Sequence, residues 1–317
     1  MSYSFETPLN GLKFWDQPVF DAHIHVWSGN FYAKFVHWVE HYYKNFYCLG
    51  MMQPDVKAEI PEEFHENIIF TYYLTTKSFA TYDTKKLLEE LDEAQANKYD
   101  MIKIWVAPRL IDRYEGLAGF RINDSRFDDV YQKIQDLGYP VIIHVSDPDI
   151  WYKTKYFDSA RYGTKESRLQ DFMDIMDKFP KIKFISAHLG CLPENLPKLE
   201  QMFDKYPQLY VDTGSTRWMC RELSKNVEES SKWFNKNIDR VLFGTDLSLR
   251  KETADPNYWA SRYWAQKVLW ETDYKNKPLP FEDDDTFDST IINGLHLENK
   301  VLEKLYYKNA FNLFKLR

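Results

Sequence analysis

The sequence is poor in the features that mark several protein classes. It has only three cysteines in 317 residues: Cys48, Cys191 and Cys220. They are odd in number, far apart and without a CxxC pair, which excludes a disulfide framework and a cysteine-built zinc module. A reducing compartment and core packing suit them better. Cys191 lies three residues past His188, within reach of a motif discussed below. No apolar run approaches the roughly 20 residues that cross a bilayer, and residues 1–18 lack an apolar signal core. Basic residues form no long block, and the formal net charge is −7. Nucleic acid and membrane are therefore poor partners, and a cytoplasmic location is expected. Low-complexity tracts and short repeats are absent as well.

What the chain does have is apolar material in short pieces. It is 44% hydrophobic and 17% aromatic, enough for a sizeable core. Eight short apolar runs read as strands: 19–26, 47–53, 68–75, 101–107, 140–146, 183–189, 209–213 and 240–246. Helices are expected between most of them. One covers 33–46. Another runs to residue 97 from a cap at Asp83 or Thr84, and a third covers 127–137 before Gly138. Further helices cover 164–179 and 194–206, and 219–237 is helical with a break near Asn226. From residue 254 the chain reads as helical apart from a long loop at 275–289. The loop's acidic cluster Asp283-Asp284-Asp285 reads as solvated.

Strands alternating with helices indicate a parallel α/β architecture. Eight units suggest a (β/α)₈ TIM barrel, as one domain over 1–317 with a C-terminal helical extension. Periodicity alone also allows an open doubly wound sheet. The first strand carries Phe20-Asp21-Ala22-His23-Ile24-His25. Residues two apart on a strand share a face, so His23 and His25 aim at one spot, as half of a metal site. Three later strands each end on a ligand-type residue: His144, His188 and Asp246. A closed barrel brings the first strand beside the eighth and places its chemistry at the strands' C-terminal ends, so this pattern favours the barrel.

HxH on the first strand, His144 on the fifth, His188-Leu189-Gly190 on the sixth and Gly244-Thr245-Asp246 on the eighth resemble the amidohydrolase superfamily. The runs 184–190 and 209–213 and the closing stretch 293–311 look like the branch containing aminocarboxymuconate-semialdehyde decarboxylase. The resemblance implies His23, His25, His144 and Asp246 as ligands of one divalent metal. Zinc is the first expectation, with Mn²⁺ or Fe²⁺ as alternatives. It implies metal-activated water as nucleophile, Asp246 as its proton acceptor and His188 as a residue that polarises a substrate carbonyl or moves a proton. Lys103 falls where binuclear members carry a carboxylated lysine, which makes it a candidate second-metal ligand. One metal is preferred over two.

Cationic and aromatic residues follow the strands: Trp27, Arg109, Trp151, Arg217, Trp218 and Arg250. Guanidinium groups there would hold a carboxylate, and indoles would stack a planar ring. The blander alternative is surface salt bridges and packing aromatics. Asp147 and Asp149 either orient a ligand histidine or form a turn. His37, His41, His65 and His296 read as surface or packing residues. The expected activity is hydrolysis of an amide, ester or lactone in a small, anionic, cyclic or aromatic substrate. Non-oxidative decarboxylation of an unsaturated or aromatic carboxylic acid is the alternative, and a non-catalytic metal-binding barrel is a third reading. The resemblance also makes a homodimer an expectation.

Overall fold

The computed structural model describes residues 12–114, 117, 119–286 and 289–316. The polar N-terminal stretch up to residue 11, and residues 287 and 288 of the long loop, lie outside the described residues. The main elements of the described residues are, in chain order, β1 (Trp15–Val26), α1 (Gly29–Val39), β2 (Tyr43–Met52), β3 (Ile68–Tyr73), α2 (Thr84–Ala96), β4 (Met101–Trp105), α3 (Asp128–Leu137), β5 (Val141–His144), α4 (Lys165–Lys178), β6 (Phe184–Ser186), α5 (Leu196–Lys205), β7 (Leu209–Asp212), α6 (Thr216–Leu223), α7 (Val227–Asn237), β8 (Val241–Leu242), β9 (Leu247–Leu249) and α8 (Pro256–Glu271). The fold is α/β, as the alternating pattern requires.

Two compact units divide the chain, one of residues 1–70 and 212–317 and one of residues 71–211. In the second unit, β4, β5 and β6 pair in parallel, and the part of β7 up to Val211 continues the series. Val141, Ile142, Ile143, Phe184 and Ile185 are almost wholly buried. That is the continuous apolar signature of parallel strands covered on both faces. The helices start where local chemistry directs. Asp83 accepts from the Lys86 amide to cap α2, and Thr164 and Ser167 form a reciprocal box at the start of α4. Gly138 ends α3 at φ 73°, a left-handed angle that costs glycine nothing.

In the first unit β1 pairs in parallel with β2 on one side and β9 on the other. The Ala22 amide donates to Phe243 O at 2.7 Å, so the first strand lies against the residues that follow β8. Gly244 permits this approach, because a Cβ there would stand 3.1 Å from His23 Cβ. The eighth-strand region therefore adjoins the first, as expected for a closed barrel.

Several boundaries differ from the sequence reading. The helix expected over 33–46 ends at Val39, and Tyr43–Phe46 already belong to β2. Aromatic residues serve either state, and here Tyr43 and Phe46 are buried as strand residues. The strands expected to reach 189 and 246 stop at Ser186 and Leu242: His188 and Leu189 adopt left-handed backbone angles, and the Phe243 amide donates to Leu305 O at 3.0 Å, with Asp246 left-handed beyond it. The long loop contains a two-stranded antiparallel ladder, Lys277–Pro278 against Ile291–Ile292, too short for a periodicity signal. Its acidic cluster is not uniformly solvated. The Asp283 side chain is 1% exposed and accepts from Arg221 Nη1 at 2.9 and 2.7 Å and from Thr290 Oγ1 at 2.6 Å. Burial would raise its pKa, but the hydrogen bonds from Thr290 and Arg221 outweigh that and hold it below the usual carboxylate value.

Candidate metal centre

Within the first unit, the end of β1 delivers His23 and His25 and the turn between β8 and β9 delivers Asp246. One oxygen of Asp246, Oδ1, stands 3.2 Å from His23 Nε2 and 3.4 Å from His25 Nε2. The Asp246 side chain is 30% exposed, so the cluster opens to solvent on that side.

The imidazole of His23 is fixed from behind. Its Nδ1 lies 2.9 Å from Asp212 Oδ2, and both side chains are at most 1% exposed. Asp212 is held in turn by the Gly214 amide, 2.7 Å from Oδ1. A carboxylate only accepts, so the proton sits on Nδ1 and Nε2 presents its lone pair to Asp246. Two acceptors that face each other at 3.2 Å repel unless a cation is shared between them. The donor set of two imidazoles and a carboxylate therefore fits a divalent ion.

Below this cluster Asp21 is fully buried and accepts four hydrogen bonds. Thr245 Oγ1 and Tyr263 OH each donate at 2.6 Å, the Thr245 amide at 3.0 Å and the His23 amide at 3.1 Å. Burial raises its pKa to about 6, against the opposing effect of those bonds. Asp21 thereby ties the β1 backbone at His23 to the turn that carries Asp246. Gln266 of α8 adds a second tie, donating to Gly244 O at 3.1 Å and Thr213 O at 3.3 Å.

The second unit brings His144 and His188 together, with ring centroids 4.5 Å apart and planes at 84°. His144 Nε2 is 2.6 Å from Ser146 O and 3.4 Å from Asp147 Oδ1. Asp147 also accepts from Tyr156 OH at 3.1 Å. Of the two aspartates in this turn, Asp147 is thus the one that meets a histidine, while Asp149 pairs with Lys165 Nζ at 2.5 Å. His188 is buried with φ 59°. Lys103 is fully buried in β4. Cys191 is a buried thiol whose Sγ lies 3.2 Å from Ser146 O, and burial pushes its pKa up to about 12.

Of the residues expected to meet substrate, Trp27, Arg217, Trp218 and Arg250 belong to the first unit and Arg109 and Trp151 to the second. Trp27 is 51% exposed, stacks on His25 at 6.3 Å and 6°, and donates from Nε1 to Ser248 Oγ at 3.0 Å. Arg217 pairs with Asp284 at 3.2 Å, and Arg250 lies 3.6 Å from Glu252. Trp218 is buried within α6. Arg109 is exposed, and Trp151 is half-buried under Lys155 Nζ, 3.6 Å above its ring. Sequence reasoning missed Asp212, Asp21, Thr245 and Tyr263 as parts of the centre. Asp212 had a legible signal, a carboxylate at the end of an apolar strand, but its partner lies 189 residues away.

The amidohydrolase family model Amidohydro_2 matches residues 78–316, so the chain belongs to that family. The match begins after the HxH strand, and the β1 histidines therefore rest on their own geometry. By sequence, no curated protein matches the chain. Among solved structures it is similar to a protein of Pseudomonas putida assigned as a 2-pyrone-4,6-dicarboxylic acid hydrolase. The TM-score is 0.53 at 9% identity, over 94% of this chain and 98% of that one. It is also similar to 5-carboxyvanillate decarboxylase of Novosphingobium aromaticivorans, solved with manganese and 4-hydroxy-3-methoxy-5-nitrobenzoic acid. There the TM-score is 0.51 at 12% identity, over 95% and 96% of the two chains. The chain is an enzyme of the amidohydrolase superfamily with the TIM-barrel fold. Among the described residues no helix is long and apolar enough to cross a membrane.

Proposed function

We propose that the protein is a metal-dependent hydrolase of an amide, ester or lactone bond in a small, carboxylate-bearing cyclic or aromatic substrate. The observation that carries this reading is the convergence of His23 Nε2 and His25 Nε2 on Asp246 Oδ1, with the tautomer of His23 set by buried Asp212. His23, His25, His144 and Asp246 would hold one divalent ion, zinc first, with manganese or iron as alternatives. Bound there, such an ion supplies Lewis acidity and lowers the pKa of water toward ~7. Asp246, partly exposed and not enclosed by the protein, accepts the proton of the attacking water. His188, held by its left-handed backbone, polarises the substrate carbonyl or returns the proton to the leaving group. Trp27 offers an exposed indole plane beside His25 for a flat substrate. Arg217 and Arg250 supply guanidinium groups for a carboxylate, and Arg109, Trp151 and Trp218 complete the candidate set. Lys103 remains the candidate for a second metal.

Decarboxylation of an unsaturated or aromatic acid is the second reading. It would use the same residues, and one of the similar folds is a manganese-bound decarboxylase. The product separates the two. Metal-reconstituted protein is offered small aryl esters, lactones and hydroxybenzoic acids, and net addition of water is measured against release of CO₂. Turnover that persists in His188→Ala and Asp246→Asn proteins would overturn the assigned roles. The chain is further expected to act on a small anionic molecule, as a homodimer, without nucleic acid or membrane.

A further inference from the structure

The second unit contains a cavity of about 420 Å³ whose lining includes no histidine. Gly119, Arg121, Ser159, Gly163, Ser167 and Arg168 are among its lining residues. Arg168 is 5% exposed, yet among the described residues it forms no ion pair. Its Nε donates to Tyr162 O at 2.9 Å and its Nη1 to Val106 O at 3.1 Å, which leaves Nη2 over. Burial lowers its pKa, against the opposing charges of Asp171 and Asp147 nearby. A buried guanidinium with no carboxylate in direct contact is costly, and proteins ordinarily pair such a charge.

Arg121 also lines the cavity and is half-exposed. It binds Asp171 through Nε, at 2.8 Å, and through Nη2. The Asp171 carboxylate, which also lines the cavity, is therefore matched within its own pair. Among the lining residues alone the remaining formal charge is +1, from Arg168. The rim supports the same sign. Gly163 takes φ 74°, and a Cβ there would stand 2.9 Å from Ser167 Oγ. Its backbone can thus close over the start of the 14-residue helix α4, whose amide end favours anions.

We propose that this cavity binds a small oxyanion, a carboxylate or phosphate group, between Arg168 and Arg121. None of the proposed metal ligands lines the cavity, and the assigned reaction does not require it. Isothermal titration of the full chain as purified, at pH 7.5 and constant ionic strength set with chloride, is the test. Inorganic phosphate is the first probe and malonate the second, and the tighter of the two identifies the source of the anion. The expected result is one saturable site per chain, at or below about 1 mM, for at least one probe. Ser159→Asp places a carboxylate in the cavity from an exposed position and should weaken binding at least tenfold. Arg121→Gln should weaken it similarly, and His25→Ala should leave it unchanged. Absence of saturable binding to both probes, binding indifferent to Ser159→Asp, or binding lost in His25→Ala would each overturn the proposal. Because Arg168→Met removes two hydrogen bonds to backbone carbonyls and so perturbs folding, Ser159→Asp carries the decision.

Discussion

Replacing Asp212 by Asn tests the metal centre through a residue that touches no substrate. In the native protein Asp212 Oδ2 can only accept, so the proton of His23 stays on Nδ1, 2.9 Å away, and Nε2 keeps its lone pair. An asparagine keeps the shape. Its oxygen is drawn to the Gly214 amide that now bonds Oδ1, which turns the NH₂ group toward His23. Nδ1 must then accept, the proton moves to Nε2, and the nitrogen facing Asp246 can no longer bind a cation. Loss of such a support costs about 10- to 100-fold in metal affinity, equivalent to roughly 1.4–2.7 kcal/mol. The assay is competition for Zn²⁺ between the protein and a chromophoric chelator, with circular dichroism as the check on folding. An Asp212→Asn protein that folds and binds zinc within twofold of wild type would refute the tautomer argument.

Asp246→Asn should lower kcat by about 10²- to 10⁴-fold if Asp246 takes the water's proton, measured at saturating metal so that affinity and chemistry separate. Asp283→Asn breaks a buried pair and should cost about 3–5 kcal/mol, visible as a lower Tm in calorimetry. The Asp283 pKa is depressed by folding, so its contribution is present above the unfolded value of about 4 and is lost as pH falls through the folded one. The Tm gap between the two proteins should therefore close below about pH 4, and a constant gap would contradict the pairing. Gly294→Ala would put a Cβ 2.0 Å from the Thr272 carbonyl oxygen. Because that atom is backbone, an overpacking cost of at least about 1–3 kcal/mol is expected, and an unchanged urea midpoint would refute it.

The alternation of strands and helices was legible because parallel strands and amphipathic helices leave periodic signals. The break at Asn226 and the cap, at Asp83 rather than Thr84, were each carried by one side chain acting on nearby backbone, and the stop at Gly138 by a residue free to take a left-handed angle. Tyr43–Phe46 was misread because aromatic residues pack equally well in either state. The supports of the site were hidden for another reason. Asp212 meets His23 across 189 positions, and Tyr263 meets Asp21 across 242. No local pattern encodes such pairs. The buried Arg221–Asp283 pair hid in the same way, since a run of three aspartates reads as solvated until its partner is known.

The left-handed residues at the ends of the sixth and eighth strands bear on how the protein would respond to selection. His188, Leu189 and Asp246 hold φ values of 59°, 50° and 61°, where each non-glycine side chain costs roughly 1–2 kcal/mol. Two of the three carry the proposed chemistry, so natural selection for turnover must work against the conformational preference of the backbone. A library of this protein sorted only for heat resistance feels no such opposition. It should drift toward glycine or asparagine at 188, 189 and 246, yielding sturdier barrels that have lost their reaction.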